Sequence, residues 1–179
     1  MANREPLGSF IGILSFALVA SSALHAAPAR LPWAATSGFH FVHAVVAADN
    51  YRAAAGGLAM KTSPSSEVRD FGRTLWVASI EDTRRLKWVL GPDAVLPTRV
   101  STRYMFVIDK LVTAGGDAFD QRFIAQQTAS LQEALALAQA YARVGDDLDL
   151  KEFAARSVPH IQVQLDRVLQ IQMHHERSR

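Results

Sequence analysis

From Phe39 to Met173 apolar residues recur at spacings of three and four, and no window alternates apolar with polar residues between hairpin turns. That period belongs to amphipathic helices rather than half-buried strands, so it predicts an all-α domain. The first helix is expected from about Thr36 to Met60, rich in Ala, with Gly56-Gly57 near its end where small residues let a second helix come close. Ser63 with Pro64 reads as an N-cap and first-turn pair, after which Val68, Phe71, Leu75, Ala78, Asp82, Leu86 and Val89 form one stripe that Gly91-Pro92 ends. A shorter helix is expected from about Ser101 to Thr113, stopped by Gly115-Gly116. Asp117 then caps a long helix to about Val144, and the last helix runs from about Leu148 to Met173, with a kink expected at Pro159. Four long helices and one short helix, joined by short connections, fit a four-helix bundle with a crossover segment.

At 179 residues the chain has room for one domain and an appendage. The appendage is N-terminal. Arg4 precedes an uncharged stretch from Pro6 to Ala29, and small residues crowd its exit, which reads as a secretory signal peptide over 1–26 with the cleavage site left open. A short linker over 27–38, the bundle over 39–173 and a frayed tail over 174–179 complete the expected organisation. The mature protein is then exported, in the periplasm, without a transmembrane helix. An uncleaved signal that anchors the chain to the membrane is the alternative.

Chemistry is narrowed mainly by exclusion. The chain has no Cys, which removes disulfides, thiolate metal sites and a Cys nucleophile. Its 19 Lys and Arg against 17 Asp and Glu leave +2 without a basic stripe, so no nucleic-acid partner is expected. No phosphate-cradling loop, dinucleotide fingerprint or nucleophile elbow occurs, and no catalytic residue or cofactor is assigned. His40 and His43, spaced i, i+3, could hold a metal if Asp49 joined them; the simpler reading is one exposed and one packed ring at a helix start. His160 is expected to bond a carbonyl freed at the kink, while His174 and His175 fall on the tail. Trp33, Trp76 and Trp88, with Phe119, Phe123 and Phe153, read as core aromatics, and Arg84-Arg85 with Lys87 as a solvated face.

Several local patterns occur in order: Phe41-Val42, Gly56-x-Leu58-Ala59 before Lys61, Val68-x-x-Phe71-Gly72, Gly116-Asp-Ala-Phe119-Asp120, Gln127, and Leu150-Lys151-x-Phe153-Ala154 leading to Val158-Pro159-x-Ile161. Together they resemble a bacterial family of exported ferritin-like helical bundles of unknown function, often labelled as outer membrane proteins. The resemblance covers about Phe39 to Gln170 and implies a ferritin-like fold. It also implies a metal constellation: a Glu on the first helix, Asp-His-Thr on the second, a His on the helix after Phe-Asp, and a His five residues beyond the last-helix Pro. This chain carries Arg52, Ser79, Leu131 and Gln164 at those places.

An arginine, a serine, a leucine and a glutamine do not replace a carboxylate and three imidazoles as ligands of a divalent transition ion. Loss of the family's metal site is therefore expected, with Arg52 turned inward and paired to a carboxylate. Asp82 is the first candidate partner, with Glu133 and Asp109 behind it. The functional expectation is a non-catalytic binding or envelope-associated structural protein with an unidentified protein or envelope partner. The alternative is a metal-binding or redox bundle using relocated ligands.

Overall fold

The computed structural model describes residues 37–177; the expected signal segment over 1–26, nearly all of the linker with Trp33, and the last two residues lie outside the described residues. Five helices follow in order: α1 (Gly38–Thr62), α2 (Ser66–Leu90), α3 (Thr102–Val112), α4 (Gly116–Val144) and α5 (Leu148–Arg177), with no strand among the described residues. The chain is an all-α helical bundle of four long helices and one short one.

Cross-contacts fix the directions. Gly38 donates its backbone N–H to Asp146 beyond the end of α4, and Ser63 beyond the end of α1 donates to Asp120 near the start of α4, so α1 and α4 are antiparallel. Glu67 at the start of α2 meets Arg167 and His174 late in α5, so that pair is antiparallel too. With a tight turn joining α1 to α2 and another joining α4 to α5, the order is up, down, down, up. The 91–115 segment must therefore cross the length of the bundle between α2 and α4. α3 lies within it, held where Asn50 donates to the carbonyls of Pro97 and Arg99, Tyr104 stacks on Tyr51 at 4.5 Å, and Gln126 donates to the Val107 carbonyl.

The expected close approach of α1 and α2 occurs at Gly56 rather than Gly57. A Cβ on Gly56 would lie 2.3 Å from the Gly72 carbonyl oxygen, whereas one on Gly57 would meet nothing. Gly116 begins α4 at φ 55, a left-handed conformation that only glycine adopts without strain.

Five local expectations change. α4 starts at Gly116 with Gly115 in the cap position, so Asp117 lies in the first turn instead of capping it. Ser65, not Ser63, caps α2 by accepting from the Val68 N–H, because Ser63 is turned inward onto Asp120. α5 runs on to Arg177, past the Met173 expected as its end; Glu67, close to both Arg167 and His174, holds its last turns. His160 is exposed rather than folded onto its own helix, and lines a groove between α2 and α5. Phe119, Phe123 and Phe153 are core residues as expected, but Trp76 is 43% and Trp88 82% exposed, because both project from α2 away from its buried stripe.

The apolar core has two parts. One cluster gathers Tyr51, Ala55, Phe71, Leu75, Phe123 and Leu165 with their neighbours. The other gathers Phe41, Val46, Leu86, Tyr141, Leu150 and Phe153. On α1 the break falls between Val46 and Tyr51, on α2 between Leu75 and Leu86, and on α5 between Ala154 and Ile161. Polar side chains occupy these gaps.

Candidate functional site

At the gap, α1 contributes Asp49 and Arg52 and α2 contributes Ser79 and Asp82, all four buried. Asp49 and Arg52 stand three residues apart and so share a helix face, which here points into the bundle. Arg52 Nη2 donates to Asp49 Oδ1 at 2.5 Å, with the two side chains 6% and 1% exposed. Thr83 Oγ1 donates to Asp49 Oδ2 at 3.3 Å. Asp82, one residue earlier on α2, is bonded to Arg85, whose side chain is half in solvent. Arg52 Nη1 is buried with no partner in the protein.

Asp49, Arg52 and Asp82 share the wall of a cavity of about 30 Å³ with Phe41, Leu137 and Ile161, so all four long helices meet around it. Ligand pockets run to hundreds of cubic ångströms, and this space admits no organic substrate. Burial raises the Asp49 carboxyl from its ordinary 3.8 to about 6, the nearby Asp82 charge adds to the rise, and Arg52 and Thr83 oppose it. Asp49, with no solvent of its own, feels the attraction of its partner Arg52 and the repulsion of the Asp82 charge, and burial tips the balance toward its neutral form.

A second polar group lies on the same turn of α1, at Tyr51. Tyr51 donates its hydroxyl to Gln126 Oε1 and accepts from Gln127 Nε2, both at 3.1 Å. Burial pushes the Tyr51 phenol upward from its ordinary value. Gln127 Oε1 and Ser130 Oγ, both on α4, are buried without partners.

Arg52 therefore points inward as expected, but its bonded carboxylate is Asp49 on its own helix. The expected Arg52–Asp82 ion pair is replaced by two pairs, Arg52 with Asp49 and Arg85 with Asp82, each closed within one helix at i, i+3. A pair within one helix needs no particular helix packing, because i, i+3 side chains already share a face. Of the other candidate partners, Glu133 pairs with Arg103 in solvent and Asp109 is exposed. Ser79 is buried, Leu131 is wholly inside the core and Gln164 is half-buried.

His40 and His43 flank the exposed Phe39 ring, at centroid distances of 5.2 and 4.3 Å. From His43 to Asp49 the helix rises about 9 Å and turns roughly 240°. Asp49 thus faces the interior and His43, which is exposed, does not. Among the described residues no group of three or more His, Cys, Asp or Glu side chains is arranged to hold a metal ion. Sequence reasoning overlooked Asp49 as Arg52's partner and the Tyr51–Gln127 bond. The first was signalled by the i, i+3 spacing.

A long-helix bundle with one crossover and a charged layer at its centre defines the class of the protein. A family model described as "Domain of unknown function (DUF4142)" matches residues 23–171, and the chain belongs to that family. Among solved structures it is similar to "CopM in the Cu(II)-bound form", with a TM-score of 0.63 and 13% identity over 77% of this chain and 97% of that chain. At that identity the likeness shows the fold. None of the curated proteins matches the chain.

Proposed function

We propose that the protein is an exported, periplasmic, ferritin-like bundle that acts as a non-catalytic binding or envelope-associated structural protein, with the metal site implied by the family pattern replaced by an internal ion pair. The single observation that carries this reading is the buried Arg52 guanidinium on Asp49. Arginine stays protonated under all conditions a protein meets, so Arg52 permanently occupies the carboxylate of Asp49 that a metal cation would otherwise use. Ser79 and Leu131, each buried, and the half-buried Gln164 supply no imidazole in compensation. The cavity is too small for a substrate.

A second reading is metal binding through His40, His43 and Asp49; the structural neighbour is named in a Cu(II)-bound form, but at 13% identity it carries the fold and not the ligands. The opposed directions of His43 and Asp49 count against it.

The test is elemental analysis of the untagged protein together with its melting temperature with and without Cu(II), Zn(II), Fe(II) and Mn(II). A ligand that binds only the folded state raises that temperature. Far less than one metal per chain and an unchanged melting temperature are expected. Stoichiometric metal with a matching rise would overturn the reading.

A further inference from the structure

Among the described residues five large apolar side chains are exposed by two thirds or more: Val95 at 93%, Trp88 at 82%, Leu148 at 81%, Val163 at 68% and Phe39 at 67%. Four of the five lie at one end of the bundle. Phe39 opens α1, Trp88 is in the last turn of α2, Val95 is in the loop that follows, and Leu148 opens α5. Phe39 and Val95 line one groove of about 600 Å³, and Val144, 55% exposed, ends α4 beside it. At the opposite end the helix termini carry Lys61, Thr62, Ser66, Glu67, Asp117, Glu176 and Arg177, and the exposed large apolar residues nearby are Val112 and Met173.

Cations rim the apolar end. Lys87 and Arg84, the latter paired with Glu81, line a second groove with Trp88, and Arg143 stands in the last turn of α4. Acids stand there too: Asp146, which accepts from Gly38 N–H and the Tyr141 hydroxyl, Asp147, which accepts from Leu150 N–H, and the solvent-facing Asp93 and Asp149, so the rim carries both signs of charge. The residues before Ser37, with their uncharged stretch from Pro6 to Ala29, join the bundle at this same end.

We propose that this end of the bundle docks on a phospholipid leaflet, with Trp88, Val95, Leu148 and Phe39 entering the interfacial region and Arg84, Lys87 and Arg143 at the headgroup phosphates. The proposal deepens the envelope-associated reading and rests on it for the location. Exposed tryptophan and aliphatic side chains beside Lys and Arg are the composition of an interfacial membrane surface. A second copy of the chain fits poorly. Four helices about 10 Å across present an end roughly 20 Å wide, so end-to-end contact buries on the order of 800 Å² in total, short of the ~1,200 Å² of a stable interface. No helix among the described residues is long and apolar enough to cross a membrane, so the bundle itself docks on the surface.

The test uses the whole chain with Trp33→Phe and Trp76→Phe, leaving Trp88 as the single tryptophan, mixed with vesicles of phosphatidylethanolamine and phosphatidylglycerol. Trp88 emission is expected to move to the blue and to be quenched by bromine-labelled acyl chains. Leu148→Glu with Val95→Glu should remove both signals without changing the melting temperature, since both positions are exposed. Three results overturn the proposal: Trp88 emission unchanged while the chain co-sediments with vesicles, which leaves the N-terminal segment as the anchor; no association with vesicles at all; or the same blue emission without vesicles, together with a dimer in sedimentation equilibrium. The elemental analysis of the proposed function is read without vesicles, so the failure of either idea is seen separately.

Discussion

Asp49→Asn isolates the energetics of the charged layer. The Asp49 carboxyl is raised from 3.8 to about 6, chiefly by burial and then by Asp82, against the attraction of Arg52. A group raised in the folded state stabilises the fold fully below its unfolded value and loses that contribution as pH rises through its folded value. The window therefore opens near pH 4 and closes just above pH 6. At ~1.4 kcal/mol for each pH unit separating the unfolded and folded values, Asp49 should remove about 3 kcal/mol of stability between those limits. The asparagine does not titrate, so the variant should match the parent at pH 4 and become the more stable protein by pH 7. For a domain of this size the gap at pH 7 corresponds to a melting difference on the order of 10 °C.

The assay is urea unfolding followed by helical circular dichroism, repeated for both proteins from pH 4 to pH 7.5. The competing outcome is specific. Removing one member of a buried ion pair commonly costs about 3–5 kcal/mol, because the other charge is stranded. It is not expected here, since burial and the Asp82 charge already hold the Asp49 carboxyl up at about 6 against the pull of Arg52. If Asp49→Asn is less stable than the parent across the whole range, the attraction of Arg52 outweighs burial and the Asp82 charge, and this account of Asp49 is wrong.

Arg52→Met should extend the pH dependence upward, since Asp49 then has no cation and titrates above 6; the electrostatic loss at pH 7 should stay at ~1.4 kcal/mol because a carboxyl can neutralise, which the same unfolding series reads. Gly56→Ala should destabilise by about 1–3 kcal/mol or more, the new Cβ falling 2.3 Å from the Gly72 carbonyl, while Gly57→Ala should be neutral or stabilising by up to ~1 kcal/mol; thermal melts of the pair decide it. Tyr51→Phe should cost about 1–3 kcal/mol by leaving Gln127 Nε2 buried without an acceptor, and Tyr51→Phe combined with Gln127→Leu should recover part of that in a double-mutant comparison.

The four long helices were legible because each runs many turns without a breaker, and because Gly91-Pro92, Gly115-Gly116 and the 145–147 turn interrupt the chain where the structure does. Arg52 inside the bundle was legible from the family pattern. Its partner was not, for a physical reason: an Asp and an Arg three residues apart on a helix usually pair at the surface, and only tertiary packing shows that this face of α1 is turned inward. Ser63 gave a misleading signal because a serine beside a proline fits a cap in either of two registers, and the buried Asp120 decides between them. The exposed end was illegible for the opposite reason. Phe39, Trp88, Val95 and Leu148 are apolar residues near helix termini, and in sequence such residues look like the rim of a core.

The charged layer and the apolar end place different demands on the same frame. A core interrupted by Asp49, Arg52, Ser79 and Asp82 leaves each half to be held by its own apolar cluster. The half around Phe41, Tyr141 and Leu150 adjoins the apolar end, and the Phe41–Tyr141 stack at 4.1 Å and the Asp146 bridge to Gly38 tie its helices together there. Docking on a leaflet loads this half alone. The α1–α2 approach at Gly56 and Gly72 stabilises the other half, so Gly56→Ala should lower the melting temperature while leaving the Trp88 response to vesicles intact below it. Loss of that response in folded Gly56→Ala protein would show that the two halves are coupled through the layer, and would make the Asp49–Arg52 pair the element that joins them.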